Sequence, residues 1–396
     1  MERPICVLAA LTLLGILRFA AASTNVEELS TDFGIRVFNE IVKSHRDRNV
    51  AFSPYGVASI MARLQLGAAG DTLAQIKEAM NYDVEERGVA SSLLNLKKSI
   101  LAHWNKDVVK TADSMFVQRD MELVRGFYKQ YYKTFRDTIK QVNFTNLHQA
   151  TYIINQWVKS HTEGMIPKFL SDDALGQLTR MVLVNAIYFK GLWKLPFPEH
   201  KTRERIFHKS DGSTMFVPMM EQTAKFNYSE FSTPDGTGYD VIELPYHGET
   251  ISMLIAAPFQ KDVPLSALTQ SVSMKLINEW KNSLKEVPQH FILPKFALES
   301  EIDLEKSLTA LGISDMFTFK ANFAKISRDE LLFVSKGLQK VKIEVNESGT
   351  KASAATAAIL YARMAPIEIV MDRPFLFVVR HNPTGVILFM GQVMEP

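Results

Sequence analysis

The stretch EVNESGTKASAATAAILYARMAPIE, residues 344–368, constrains the fold of this chain more than any other. Running into its left end, Val341, Ile343 and Val345 alternate with Lys340, Lys342 and Glu344, the pattern of a half-buried strand. After it comes DRPFLFVVRH, apolar on both faces and therefore a fully buried strand. Two strong strands are thus joined by a long run of small residues with Arg363 and Met364 near its far end. A flexible Ala/Ser linker or an alanine-rich helix would account for the composition. Period two offers a third reading. One face would carry Thr350, Ala352, Ala354, Thr356 and Ala358, and the other Lys351, Ser353, Ala355, Ala357, Ile359, Tyr361 and Arg363. The first face is free of bulk and charge, so such a segment could slide between existing strands. Gly349 would supply the turn.

A stable home for such a segment needs a large core, and the chain is long enough to build one: 396 residues, 46% hydrophobic and 22% charged. The start, MERPICVLAALTLLGILRFAAASTN, has Arg3, an apolar run from Ile5 to Leu17 and small residues at Ala20–Ala22. This reads as a secretory signal, residues 1–22, and is too short to span a membrane. The single cysteine, Cys6, lies inside it, so the mature chain has no disulfide. A net charge of +2 gives no general argument for a polyanion such as nucleic acid. Sequons stand at Asn143, Asn227 and Asn346. Asn227, in what reads as a polar, turn-rich region, is the best glycan candidate; Asn143 is also kept, and Asn346, next to a buried strand, is expected to be bare.

Helical signals dominate the first half. Thr31-Asp32 caps a helix through Ile35, Phe38, Ile41 and Val42, and Ser53-Pro54 opens a second. GAAGD ends it and Thr72 starts another; helices follow at 88–101, at 122–135 and around Trp157, with a strand near 113–118. Strands dominate the second half: 179–193, several between 205 and 258, and QHFILPKFALES as one long strand, broken by helices at 264–285 and EIDLEKSLTALG. This is an α+β pattern without repeats, linkers or composition shifts, and it predicts one domain over 23–396.

The chain reads as no enzyme. G-x-S-x-G, H-E-x-x-H and P-loop motifs do not occur, and the nine histidines are scattered without metal-ligand spacing. No cofactor or metal is implied. A Ser-His-Asp set is a spatial arrangement and stays open.

NVAFSPYGVASIMARLQLGAAGDTLAQI, LVNAIYFKGLWKLPF, KVKIEVNESGTKASAAT and DRPFLFVVRHNPTGVILFMGQV resemble the serpins, in order and over essentially the whole mature chain. The resemblance implies three β-sheets, about nine helices and an exposed reactive-centre loop over about 347–368. It implies a secreted, metastable, monomeric suicide-substrate inhibitor of trypsin-like serine proteases. Arg363-Met364 matches the bait bond. Glu347, Gly349, Thr350, Lys351, Ala352, Ser353, Ala354 and Ala355 match the mobile hinge. The implied targets are plasminogen activators of the tissue and urokinase types, and with them fibrinolysis and pericellular proteolysis. Ile367 and Glu368 match the protease exosite, with Ile367 standing where an acidic residue is the pattern. A vitronectin site is implied at Arg119, Tyr132 and Gln141, from which Tyr128 and Lys129 depart. Arg87, Lys97, Lys98 and Lys106 could form a patch for heparin-like glycosaminoglycans, or simply a solvated helix face. Two rival classes remain: a non-inhibitory carrier or chaperone of the same fold, and a matrix interaction protein indifferent to Arg363.

Overall fold

A computed structural model of the protein describes residues 25–102, 108–328, 332–348 and 366–396. Helix α1 (Val26–Ser44) starts earlier than Thr31-Asp32 suggests. Asn25 caps it, its Oδ1 accepting from the Glu28 amide at 3.2 Å, with Glu27 and Glu28 in the first turn. The Thr31 hydroxyl is spent inside the helix, donating to the Glu27 carbonyl. Helix α2 (Pro54–Gly67) begins as expected: Ser53 Oγ accepts from the Gly56 amide at 2.9 Å and Pro54 fills the first turn. Helices α3 (Gly70–Met80), α4 (Val89–Ile100), α5 (Arg125–Phe135) and α6 (Leu147–His161) follow. The expected helix over 264–285 is two, α7 (Ser266–Thr269) and α8 (Met274–Ser283), and α9 (Glu305–Ala310) completes nine among the described residues. Gly312, past the end of α9, has φ +88°, a conformation that favours glycine.

A five-stranded sheet is ordered β10 (Phe296–Asp303), β11 (Lys336–Val345), β4 (Met181–Phe189), β2 (Val109–Gln118), β3 (Lys140–Val142). The other sheet is ordered β1 (Val50–Phe52), β14 (Ile387–Val393), β13 (Phe375–His381), β8 (Ile251–Pro258), β7 (Gly238–Pro245), β6 (Thr214–Ser232), β9 (Lys285–Pro294), β12 (Ile367–Val370). In it β5 (Arg203–His208) hangs on β6. Long β6 pairs with β5 through its first residues, with β9 through its middle and with β7 through its last. Two of the three expected sheets therefore run together through β6 and β9.

QHFILPKFALES is not one strand. It divides at Lys295, whose amide donates to the Pro218 carbonyl, and the chain passes from β9 in one sheet to β10 in the other. Burial of β4 is complete, and its alternating side chains serve different cores. Val182, Val184 and Ala186 pack under α6, whereas Ile187 and Phe189 join the core between the two sheets.

Candidate functional site

Strands β11 and β4 lie side by side and parallel, with Gln339 opposite Asn185 and Val341 opposite Ile187. Their outer neighbours β10 and β2 are antiparallel to them. The chain leaves β11 at Val345 and reappears at β12, which pairs with β9 at the edge of the other sheet. A segment turning back from the end of β11 runs antiparallel to β11, and so antiparallel to β4 as well. The seam between these two strands is therefore where a reversed strand finds antiparallel partners on both edges, in exchange for one parallel ladder of lower stability per residue.

Beneath the seam two buried amides clasp it. Gln339 Nε2 donates to Asn185 Oδ1 at 2.6 Å, and both residues are 0% exposed. Gln339 also donates to the Ser53 carbonyl at 3.0 Å and accepts from the Ser53 amide at 2.8 Å. Ser53 Oγ in turn donates to the Leu388 carbonyl, tying the start of α2 to β14. Asn185 Nδ2 donates to Asp113, whose other oxygen accepts from Ser59 Oγ. Burial pushes the Asp113 carboxyl up, against the pull of Arg63 and Lys97. A Cβ on Gly56 would meet Asn185 Oδ1 at 2.3 Å, so glycine is required where α2 crosses the clasp. Sequence reasoning passed over Asn185 and Gln339. The signal was there: each is a lone polar side chain at an inward position of an apolar strand, which a fold keeps only when its bonds are made.

The loop's first end is held firmly. Glu347, which the family resemblance matches to the hinge, is buried, and its carboxylate meets Lys295 Nζ at 2.9 Å and accepts from Thr202 Oγ1 at 2.7 Å. Burial opposes its ionisation, but Lys295 and Thr202 together hold the carboxyl below its ordinary range. Trp193 stacks on Tyr246 with centroids 4.2 Å apart; its ring nitrogen donates to the Asn346 carbonyl and its backbone amide to that of Ser348. Gly349, Thr350, Lys351, Ala352, Ser353, Ala354, Ala355, Arg363 and Met364 lie outside the described residues, as do residues 1–22 and Lys106.

At the loop's far end Ile367 is 66% exposed on edge strand β12, and Glu368 lies 3.1 Å from His290. Arg119 and Gln141 are brought together, Gln141 Nε2 donating to the Arg119 carbonyl at 2.9 Å. Tyr132 is exposed on α5, with the Arg136 guanidinium near its ring. The basic patch is less uniform than its sequence suggests. Arg87 and Lys98 are exposed, but Lys97 is drawn inward beside Arg63, where burial lowers its pKa. Asn227 is not in a turn-rich region: it sits within β6, half-buried, its Nδ2 donating to Glu243. Asn143 follows β3, its Oδ1 accepting from the amide and hydroxyl of Thr145. Among the described residues no helix is long and apolar enough to cross a membrane, and no group of His, Cys, Asp and Glu is gathered to hold a metal.

Residues 28–396 match the model of the family described as Serpin (serine protease inhibitor). The chain is 60% identical over 369 residues to Plasminogen activator inhibitor 1 of Sus scrofa, covering 93% of this chain and 92% of that one. Glia-derived nexin of Rattus norvegicus is 47% identical over 376 residues, 94% of each chain. Among solved structures, native protease nexin-1 with heparin superposes with a TM-score of 0.89 at 46% identity, covering 94% of this chain and 99% of that one. Uncleaved ovalbumin follows with a TM-score of 0.85 at 29% identity, covering 94% and 100%. Taken with the parallel seam and the loop that leaves it, these matches over nearly the full length mean that the chain belongs to the serpin family of serine protease inhibitors.

Proposed function

We propose that the chain is secreted after loss of residues 1–22, and that residues 23–396 act as one inhibitor domain against trypsin-like serine proteases. Tissue-type and urokinase-type plasminogen activators are the targets, a choice supported by similarity to Plasminogen activator inhibitor 1. Arg363 enters the acidic specificity pocket of the protease, whose serine attacks the Arg363 carbonyl carbon. The bond to Met364 breaks, the new amino terminus leaves with a proton, and Arg363 stays esterified to the serine. The freed loop then enters the seam between β4 and β11 as an antiparallel strand, Thr350 and the alternate small residues inward. The tethered protease is carried to the far end of the sheet and deacylation stalls. The catalytic groups belong to the target.

The observation that carries this reading is the direct parallel pairing of β11 with β4, next to a loop whose inward positions are all Thr or Ala through residue 358. Ile367 and Glu368 serve as the protease exosite, and Arg119, Tyr132 and Gln141 as a vitronectin surface. Arg87 and Lys98 remain candidates for heparin-like glycans, as the likeness to nexin-1 solved with heparin supports, and Asn227 and Asn143 for N-glycans. The test is incubation with tissue-type activator, urokinase and thrombin, followed by a denaturing gel. A complex that survives SDS with either activator is expected, and Arg363→Glu should abolish it. Cleaved chain without any complex would instead favour the carrier reading.

A further inference from the structure

The base of the seam, opposite the end where the loop departs, carries an apolar surface that stands exposed among the described residues. Phe319 is 74% exposed and Leu178 69%. The rings of Phe319 and Phe333 meet edge-on with centroids 5.3 Å apart. With Ala174, Ser335 and Lys336 they border a shallow cleft of about 330 Å³. Its place is fixed by the Ser335 amide, which donates to the Met181 carbonyl where β11 and β4 begin. Large apolar side chains gathered at the surface mark something that covers them.

The register of the seam says what arrives there. On β11, Val341, Ile343 and Val345 point into the core between the sheets, while Leu338 faces the α6 side, as does Ala174. A reversed strand that turns through 346–349 sets inward Thr350 opposite inward Val345. Each further step moves one residue along both strands, so Ile359 comes opposite Lys336, the first residue of β11. Tyr361 lies two positions beyond, past the end of the ladder, and both share the α6 side with Lys336. Ile359, Leu360 and Tyr361 are the bulky apolar end of an otherwise small-residue loop.

We propose that the Leu178/Phe319/Phe333 cleft is the dock for Ile359 and Tyr361 of the inserted loop, so that it stabilises the inserted state and not the uncut one. The proposal rests on the insertion reading above. Leu178, Phe319 and Phe333 lie far from the bait bond along the chain, so variants at these three leave acylation untouched.

The test compares wild type, Phe319→Ser, Leu178→Ser, Tyr361→Ser and the Phe319→Ser/Tyr361→Ser pair. Each is melted uncut and after loop cleavage by a non-target protease that cuts beyond Tyr361, so that Ile359 and Tyr361 stay on the inserted segment, in a fixed concentration of guanidinium chloride. The uncut forms should melt together. The cleaved single variants should each melt about 2 °C or more below cleaved wild type. The pair should lose less than the sum of its single losses, because either change alone vacates the contact. Equal losses in cut and uncut protein, no loss in the cleaved form, or additive losses would each overturn the dock. So would concentration-dependent melting of the uncut protein that Phe319→Ser removes, which would assign the patch to a second copy. If cleaved wild type melts no higher than uncut wild type, the insertion reading fails and takes the dock with it.

Discussion

Thr350→Arg should convert the inhibitor into a substrate, while Lys351→Arg should be mild. On the insertion reading proposed above, residue 350 would enter beside Val345, 3% exposed, where the neighbouring seam residues Ile343 and Phe189 are both fully buried. The inter-sheet cluster around Val345 is built of apolar side chains, which leave a guanidinium buried among them without a charge partner from the cluster. Burying an uncompensated charge costs about 3–5 kcal/mol. Felt in the rate-limiting step of insertion, this slows it on the order of a hundredfold or more. Acylation at Arg363, far along the loop, proceeds as before, so hydrolysis of the ester wins the race. At position 351 the inserted register would turn the side chain outward, and the residue there, Lys351, already carries a charge. The assay is the number of inhibitor molecules consumed per protease trapped, for both variants in parallel. A large ratio for Thr350→Arg and a near wild-type one for Lys351→Arg are expected. Similar ratios would refute the inward and outward assignment and the register built on it.

Gln339→Leu removes the clasp across the seam and leaves the Ser53 amide and Asn185 Oδ1 buried without that partner. At about 1–3 kcal/mol per unsatisfied group, the urea midpoint of the uncut protein should fall clearly; an unchanged midpoint would contradict the clasp. His381 is buried at the end of β13, Nδ1 to Thr384 Oγ1 at 2.8 Å, and its pKa is pushed down to about 4, first by burial and then by Arg380. Because the unfolded chain takes up a proton near pH 6.5 and the folded one near 4, stability falls as pH drops through that window, by up to about 3 kcal/mol. His381→Gln should flatten this segment of a pH–stability curve, and an unaltered slope would show that another group sets it.

Local chemistry was legible where a few neighbouring residues decide the outcome. Ser53-Pro54 names its own helix start, and the alternation from Lys340 to Val345 names the half-buried strand. Contacts between distant residues were not. Glu347 reads as one hinge residue among several, yet its partners are Lys295 and Thr202, far away in sequence. QHFILPKFALES reads as one strand because an apolar pattern is blind to the change of sheet at Lys295. Lys97 reads as part of a solvated basic face, but its helix turns it toward half-buried Asp113 and buried Arg63. Asn227 looks like a turn residue among polar neighbours, although β7 and β9 pair with it on both sides. The family resemblance supplied the loop's role; the parallel seam that could receive it appeared only when β11 was set beside β4.

That seam is where the account stands or falls. The spacing of β4 and β11 should be measured in crystals of the protein cleaved at Arg363-Met364. In the uncut protein Val341 and Ile187 are direct partners, a neighbouring-strand separation of about 4.8 Å. Insertion predicts a strand between them, antiparallel to both, and a separation of about 9.6 Å, twice the inter-strand spacing. A cleaved protein in which Val341 still pairs with Ile187 would contradict the account.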